Sequence, residues 1–492
     1  MRKMFLSTMF IVWVLLGEEI VKFEPSNYYV DTNGDTVLIL PESQDIQSIE
    51  GQNGSNTPVM FGGDLNLTEK SGCGHPGLAT ATIGSNYYVY VTTETSLNDQ
   101  CEVYIREWQL VRSGYALNAI FTNSCGWYSS SGTLYFPAIA TTSSNLMLLF
   151  HKVPSYYTRS VIYDLPGLEN SAIYYLDADV NVVEPDVAPA SASGDNFYAV
   201  ATYKYSDTDS DIRFYTTTNG GQTWNKTTLR NDWVNEYWLA RIASDPSNYS
   251  RVGVVWIKNN NEAIECRLSS NGGSSWSGVH TWNNLAWPDI AIYGSTVFIV
   301  AKNGSNLQII YSTDFGSSWN GYTIDPPDVV EYPAIEVSQG GMWMIVYSDN
   351  DGDVYYTYSY DTNVSGSDFN QVSDGSYGVP DRPAVVEDPT MSDWAIVAWK
   401  DSRSSTDIYG DCEYGSLSGE EEKISFKDSK ELILPSSIIS NWPSFLKDKE
   451  NLTIYRLDGT KISKESTPKP GVYFLVLKDK GRTLKQKIVF MK

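Results

Sequence analysis

TTNGGQTW at residues 217–224, SSNGGSSW at 269–276 and STDFGSSW at 312–319 spell one eight-residue pattern, Ser/Thr-x-Asp/Asn-x-Gly-x-Ser/Thr-Trp. The copies begin 52 and 43 residues apart, so the chain carries an internal repeat. Each copy has the chemistry of a tight turn. Asn219, Asn271 and Asp314 are short side chains that bond backbone groups two residues on, and Gly221, Gly273 and Gly316 tolerate positive φ. Trp224, Trp276 and Trp319 then anchor the turn on the strand that follows. A β-rich run precedes each copy, DIRFY at 211–215, AIECR at 263–267 and LQIIY at 307–311, so the pattern predicts hairpins.

A longer unit surrounds these turns. An aromatic or charged residue followed by Pro opens a strand at His75-Pro76, Phe136-Pro137, Glu184-Pro185, Trp287-Pro288, Tyr332-Pro333 and Arg382-Pro383, and Trp238-Leu239 opens a Pro-less copy. The spacing is close to 50 residues once the gap from Pro185 to Pro288 is read as two units. A second apolar run follows each start, for example FYAVA at 197–201 and VGVVW at 252–256. Four strands per unit predict an all-β chain folded as a β-propeller of about seven four-stranded blades between about residues 70 and 420, with six or eight also compatible. The last unit lacks a fourth strand, and VMFGGDLNL at 59–67, in the N-terminal segment 18–69, is placed to supply it and close the ring.

The eight-residue pattern resembles the Asp-box, or BNR repeat, of sialidases and related β-propellers. The resemblance implies the fold; the box itself is a folding element of enzymes and non-enzymes alike. A sialidase would need paired carboxylates or a Tyr nucleophile with an acidic partner, and three Arg that clamp the substrate carboxylate. One of those Arg belongs to a Phe/Tyr-Arg-Ile-Pro motif in the first blade. Here that place reads His75-Pro76-Gly77-Leu78, and the nearest relic is Arg382-Pro383-Ala384-Val385 in the last unit. Nothing in the spacing of Arg241, Arg382 and Arg403 requires them to converge, so no catalytic residue is carried over.

The N-terminal segment predicts an exported chain. Residues 1–17 read as a signal peptide, with Arg2 and Lys3 before a largely apolar run of thirteen residues, Met4 to Leu16, too short to span a bilayer, which takes about 20. No other segment is long enough for a transmembrane helix. The whole chain carries 35 Lys+Arg against 59 Asp+Glu; the last 70 residues hold 15 against 7, leaving 20 against 52, a charge of −32, before them. So acidic a body argues against nucleic acid and anionic membranes as partners. Of the five Cys, Cys73, Cys101 and Cys125 cluster near the first unit and allow one disulfide there, whereas Cys266 and Cys412 read as core residues of third strands. Sequons such as Asn66-Leu67-Thr68 serve only in a host that glycosylates.

After the acidic hinge Glu420-Glu421-Glu422, residues 424–492 read as a separate small β-sandwich with strands at 452–455, 471–477 and 483–490 and a turn at Leu457-Asp458-Gly459. IYRLDG, then GVYFLVL, then a basic last strand is similar to the C-terminal sorting domain of the bacterial type IX secretion system. Its usual Pro-Asn-Pro element is replaced by Leu434-Pro435-Ser436. The resemblance implies secretion machinery as a partner and the outer surface of a bacterium, or the medium, as destination.

In a propeller the blade-to-blade loops and the second-to-third-strand loops gather at one channel mouth, opposite the box turns. Ligand-binding candidates at that mouth are Glu184, Asp186, Trp238, Trp287, Asp289, Glu331, Tyr332, Asp381 and Arg382 from the first loop set, and Asp401 and Arg403 from the second. Aromatic faces beside carboxylates suit sugars, which stack CH-rich faces on rings and donate hydroxyl hydrogen bonds to acids. Asp207, Asp209 and Asp211, and likewise Asp349, Asp351 and Asp353, alternate in a way that suits Ca²⁺, but lack the Gly and closing Glu of an EF-hand; no other cofactor is expected. Only His75, His151 and His280 exist, without metal-ligand spacing, and no phosphate loop is present. Recognition of carbohydrate or glycoprotein without catalysis is the expected function, with a divergent exo-sialidase or other glycoside hydrolase as one alternative and a structural envelope or adhesion protein as another.

Overall fold

The computed structural model describes residues 64–412 apart from short loop segments, together with the backbone of strands between residues 12–38 and 417–490. The leader read at residues 1–17 lies largely outside the described residues.

Seven antiparallel sheets follow one another in chain order, and no helix occurs among the described residues. Blade 1 consists of Gly77–Ile83, Asn86–Leu97, Gln100–Ser113 and Ala116–Ser129, with Leu417–Gly419 added in parallel at its outer edge. Its second, third and fourth strands, of 12, 14 and 14 residues, are the longest in the ring. Blade 2 runs from Thr133–Thr141 to Glu169–Tyr175, blade 3 from Val182–Pro189 to Asn225–Arg230, and blade 4 from Tyr237–Asp245 to His280–Asn283. Blade 5 spans Ala286–Tyr293 to Asn320–Ile324 and blade 6 spans Ala334–Val337 to Asn370–Gln371. Blade 7 takes Ala384–Glu387, Ala395–Asp401 and Asp407–Cys412 from the end of the ring, and its fourth strand, Leu65–Asn66, from the beginning.

The core is a ring of seven hydrophobic clusters, one between each pair of neighbouring blades. In blade 3, Phe197, Ala199 and Ala201 face blade 2, and Tyr198 and Val200 face blade 4. A second strand is therefore covered on both faces, which explains its nearly unbroken apolar run. Each fully buried Val, Leu, Ile or Phe contributes about 1.5–3 kcal/mol. Cys266 and Cys412 are buried on third strands, where burial pushes both thiols up and keeps them unreactive.

All three Asp-box turns join third to fourth strands, in blades 3, 4 and 5. The opening hydroxyl organises each one: Gly221, Gly273 and Gly316 N–H donate to Thr217 Oγ1, Ser269 Oγ and Ser312 Oγ at 2.9, 2.8 and 2.7 Å. The Asx carboxyl or amide oxygen accepts from the N–H of Thr223, Ser275 or Ser318. The turns also lock blade to blade. A Cβ on Gly273 would come within 2.1 Å of Phe214 in the preceding blade, and one on Gly316 within 2.6 Å of Leu268. Trp224 Nε1 donates to Ser160 of blade 2 at 3.2 Å, and Trp319 packs edge-on against Trp282 of blade 4 at 5.0 Å. A partial box survives in blade 6, where Asp361 N–H reaches Ser359 Oγ and Asn363 N–H reaches Asp361 Oδ1.

The C-terminal unit forms a five-stranded sheet. Glu431–Ile439 pairs in parallel with Arg482–Phe490, which pairs antiparallel with Gly471–Asp479; Leu452–Arg456 and Lys461–Ile462 complete it.

Candidate functional site at the channel mouth

The innermost strands reach the mouth in two ways. In blades 2 to 5 the strand pairing slips just after the start, between Tyr135 and Ala138, Val183 and Asp186, Trp238 and Arg241, and Ala286 and Asp289. At each slip one non-glycine residue takes a left-handed conformation: Phe136 (φ 50), Glu184 (φ 51), Leu239 (φ 49) and Trp287 (φ 49). Such residues cost about 1–3 kcal/mol apiece and concentrate at ligand sites. The first strands of blades 1, 6 and 7 carry neither the slip nor the left-handed residue.

Three aromatic side chains from three blades form a continuous row. Trp238 meets Trp287 at 5.6 Å and 81°, and Trp287 meets Tyr332 at 4.8 Å and 71°, each edge to face and partly exposed. Across the mouth His75 lies 4.9 Å from Phe136, which stacks on His151 at 5.5 Å.

Carboxylates interleave with these rings. Glu184 Oε2 accepts the Leu239 N–H at 3.0 Å, and Asp186 Oδ2 accepts the Ile242 N–H at 3.0 Å, so blade 3 holds blade 4 at the mouth. Asp289 repeats the contact between blades 5 and 6, accepting from Ile335 N–H at 2.9 Å, and pairs with Arg382 Nη2 at 2.6 Å. Burial raises the Asp186 carboxyl against the opposing field of Arg241. It also raises Asp289, to about 8, opposed by the Ile335 N–H and Arg241, while Arg382 Nη2 lies against its Oδ2. Glu331 is paired with Lys302, and Asp381 with Lys400 at 3.3 Å. Burial, Glu331 and Asp381 together push the Tyr332 phenol up, so the row ends in a negative field.

His75 bridges two acids, with Nδ1 2.8 Å from Glu94 Oε1 and Nε2 3.4 Å from Asp381 Oδ1. Enclosure lowers its pKa, but the two carboxylates outweigh this and raise it above the usual imidazole value. His151 differs: its Nδ1 accepts the Glu184 N–H at 3.3 Å, and burial with nearby Lys204 lowers its pKa to about 4, leaving it neutral.

Nine sequence candidates, Glu184 through Arg382, thus lie around the mouth and are linked to one another or to neighbouring strands. Arg403 and Asp401 are used differently. Asp401 is fully buried, and the Arg403 guanidinium joins it at 2.7 Å to Asp64, just before the closing strand Leu65–Asn66. Asp207 lies outside the described residues. Asp209 and Asp211 sit on the third strand of blade 3, where Asp211 accepts the Tyr205 hydroxyl at 2.9 Å. Asp349 Oδ1 accepts the N–H groups of Asp351 and Asp353, closing a hairpin loop in blade 6. Among the described residues no group of three or more His, Cys, Asp or Glu is arranged to hold a metal ion. Sequence reasoning missed the roles of His75, Glu94, Phe136, Lys302 and Lys400. Its available signal was positional, because His75 and Phe136 occupy the same pre-proline place as Glu184 and Trp287.

No family model and no curated protein matches the chain. Among solved structures it is similar in fold to a lectin from Burkholderia pseudomallei, with 12% identity over 72% of this chain and 100% of that one and a TM-score of 0.46. An alpha-L-arabinanase from Penicillium chrysogenum gives 11% identity over 57% and 92%, with a TM-score of 0.42. The NanB sialidase from Streptococcus pneumoniae, as a point mutant, gives 12% identity over 72% and 71%, with a TM-score of 0.40.

Proposed function

We propose that this propeller recognises carbohydrate, free or on glycoprotein, at the channel mouth, without catalysing its cleavage. The observation that supports the reading is the Trp238–Trp287–Tyr332 row set among Glu184, Glu331 and Asp381. Ring faces and edges pack against the CH-rich faces of a pyranose, and the carboxylates accept its hydroxyl protons. Export by the leader and attachment or release through the C-terminal domain belong to the same proposal. They put the mouth where extracellular glycans are, at the bacterial outer surface or in the medium.

A glycan array probed with the full chain tests the reading, with Trp287→Ala alongside. Loss of a ring that touches both neighbours is expected to weaken binding roughly tenfold or more, in line with about 1–3 kcal/mol for one stacking aromatic. Unchanged binding by a folded Trp287→Ala variant would remove the row from the site. Release of free sialic acid from a mixed sialoglycoprotein would instead favour the hydrolase alternative.

A further inference from the structure

Taking the mouth as the glycan site proposed above, we infer that it selects glycans without acidic groups, and that Asp289, Glu331 and Asp381 are the residues that determine this by masking its cations. Three of the four cations flanking the aromatic row are paired with carboxylates of the protein. Arg382 Nη2 lies 2.6 Å from Asp289 Oδ2, two residues beyond Trp287. Lys302 contacts Glu331, the neighbour of Tyr332, and Lys400 lies 3.3 Å from Asp381. Arg241 stands in the fields of both Asp186 and Asp289.

Glu184 is the reverse case. It accepts the Leu239 N–H beside Trp238 and has no ion pair among the described residues. A sugar carboxylate or sulfate entering here meets Arg382, Lys302 and Lys400 already paired, and meets Arg241, which has no ion pair among the described residues, only within the fields of Asp186 and Asp289. To take the Arg382 fork it must strip that side chain from Asp289, which is buried and then left without this partner. Neutral hydroxyls face the opposite situation, since Glu184 has acceptor capacity to offer them. Rejection of acidic ligands by fixed carboxylates, rather than extra attraction for neutral ones, sets the preference.

The test presents the full chain with one glycoprotein before and after enzymatic removal of sialic acid, and with neutral and uronate oligosaccharides of equal length. Neutral forms are expected to bind about tenfold more tightly or better, by a ratio that shrinks as salt is raised. Equal or tighter binding of the acidic forms overturns the inference while leaving carbohydrate recognition intact. Binding of no glycan by the folded chain overturns carbohydrate recognition itself. Asp289→Asn releases Arg382 and is expected to narrow the neutral-to-uronate ratio. Glu331→Gln, which unmasks the half-buried Lys302, is expected to do the same should Asp289→Asn fail to fold. An unchanged ratio in a folded variant refutes the masking.

Discussion

Gly273→Ala measures how much the Asp-box turns hold neighbouring blades together. Gly273 has φ of 84°, where an L-residue loses about 1–2 kcal/mol relative to glycine. The added methyl would also lie 2.1 Å from Phe214 Cε1 and 2.7 Å from Cζ. Phe214 cannot easily yield. It is 1% exposed, edge-on to Trp276 at 4.9 Å and packed against Tyr198 at 5.5 Å in the cluster between blades 3 and 4. Overpacking of this kind adds about 1–3 kcal/mol, so the expected loss is roughly 2–5 kcal/mol. Gly194→Ala is the control: φ is 82°, but nothing lies within 4 Å of the new Cβ, so only the conformational part, about 1–2 kcal/mol, remains. Urea unfolding followed by Trp fluorescence separates the two, with the midpoint moving at constant slope if only stability changes. Equal losses for both variants would refute the view that the box glycine is a close-packed contact between blades.

Arg403→Ala is expected to destabilise the ring by roughly 3–5 kcal/mol, because Asp401 and Asp64, both without side-chain exposure, would lose their common cation; a urea midpoint within error of wild type would deny the pair that role. His75 has a folded-state pKa above its unfolded value near 6.5, so the stability it adds is complete below that value and is lost as pH rises through the folded pKa. The difference in urea midpoint between wild type and His75→Gln should therefore be larger at pH 5.5 than at pH 8.5, and a pH-independent difference contradicts the Glu94–His75–Asp381 bridge. Millimolar Ca²⁺ is expected to leave the melting temperature unchanged, since the N–H groups of Asp351 and Asp353 already occupy Asp349 Oδ1; a clear upward shift would restore the metal reading of these loops.

What could be read from the chain alone divides by the sequence distance over which each contact acts. The boxes are legible because their bonds close within five residues, as Thr217, Asn219, Gly221 and Thr223 do. The blade period is legible because a strand packed on both faces has to be apolar throughout, as at Phe197–Ser206 before its polar end. The mouth is legible only as a set of positions. A residue before proline ordinarily prefers extended backbone, so nothing local announces the left-handed turn at Phe136 or Trp287. The partners of His75 are hidden for another reason: Glu94 lies in the next strand, but Asp381 belongs to the seventh blade and meets His75 only when the ring is closed.

Ring closure also sets a timetable. Asn66, which donates to Asp407, is made 341 residues before its acceptor. At about 5–20 residues per second, roughly 20–70 s of synthesis separate the two. Blades 2 to 6 are each continuous in sequence and are completed in order during that interval. The last blade exposes an open edge until the earliest segment of the ring returns to it, so in a nascent chain residues 64–68 have to stay unclaimed. Whatever escorts this protein before closure has that short stretch, and the waiting edge at Asp407–Cys412, as the two surfaces to keep apart from other chains.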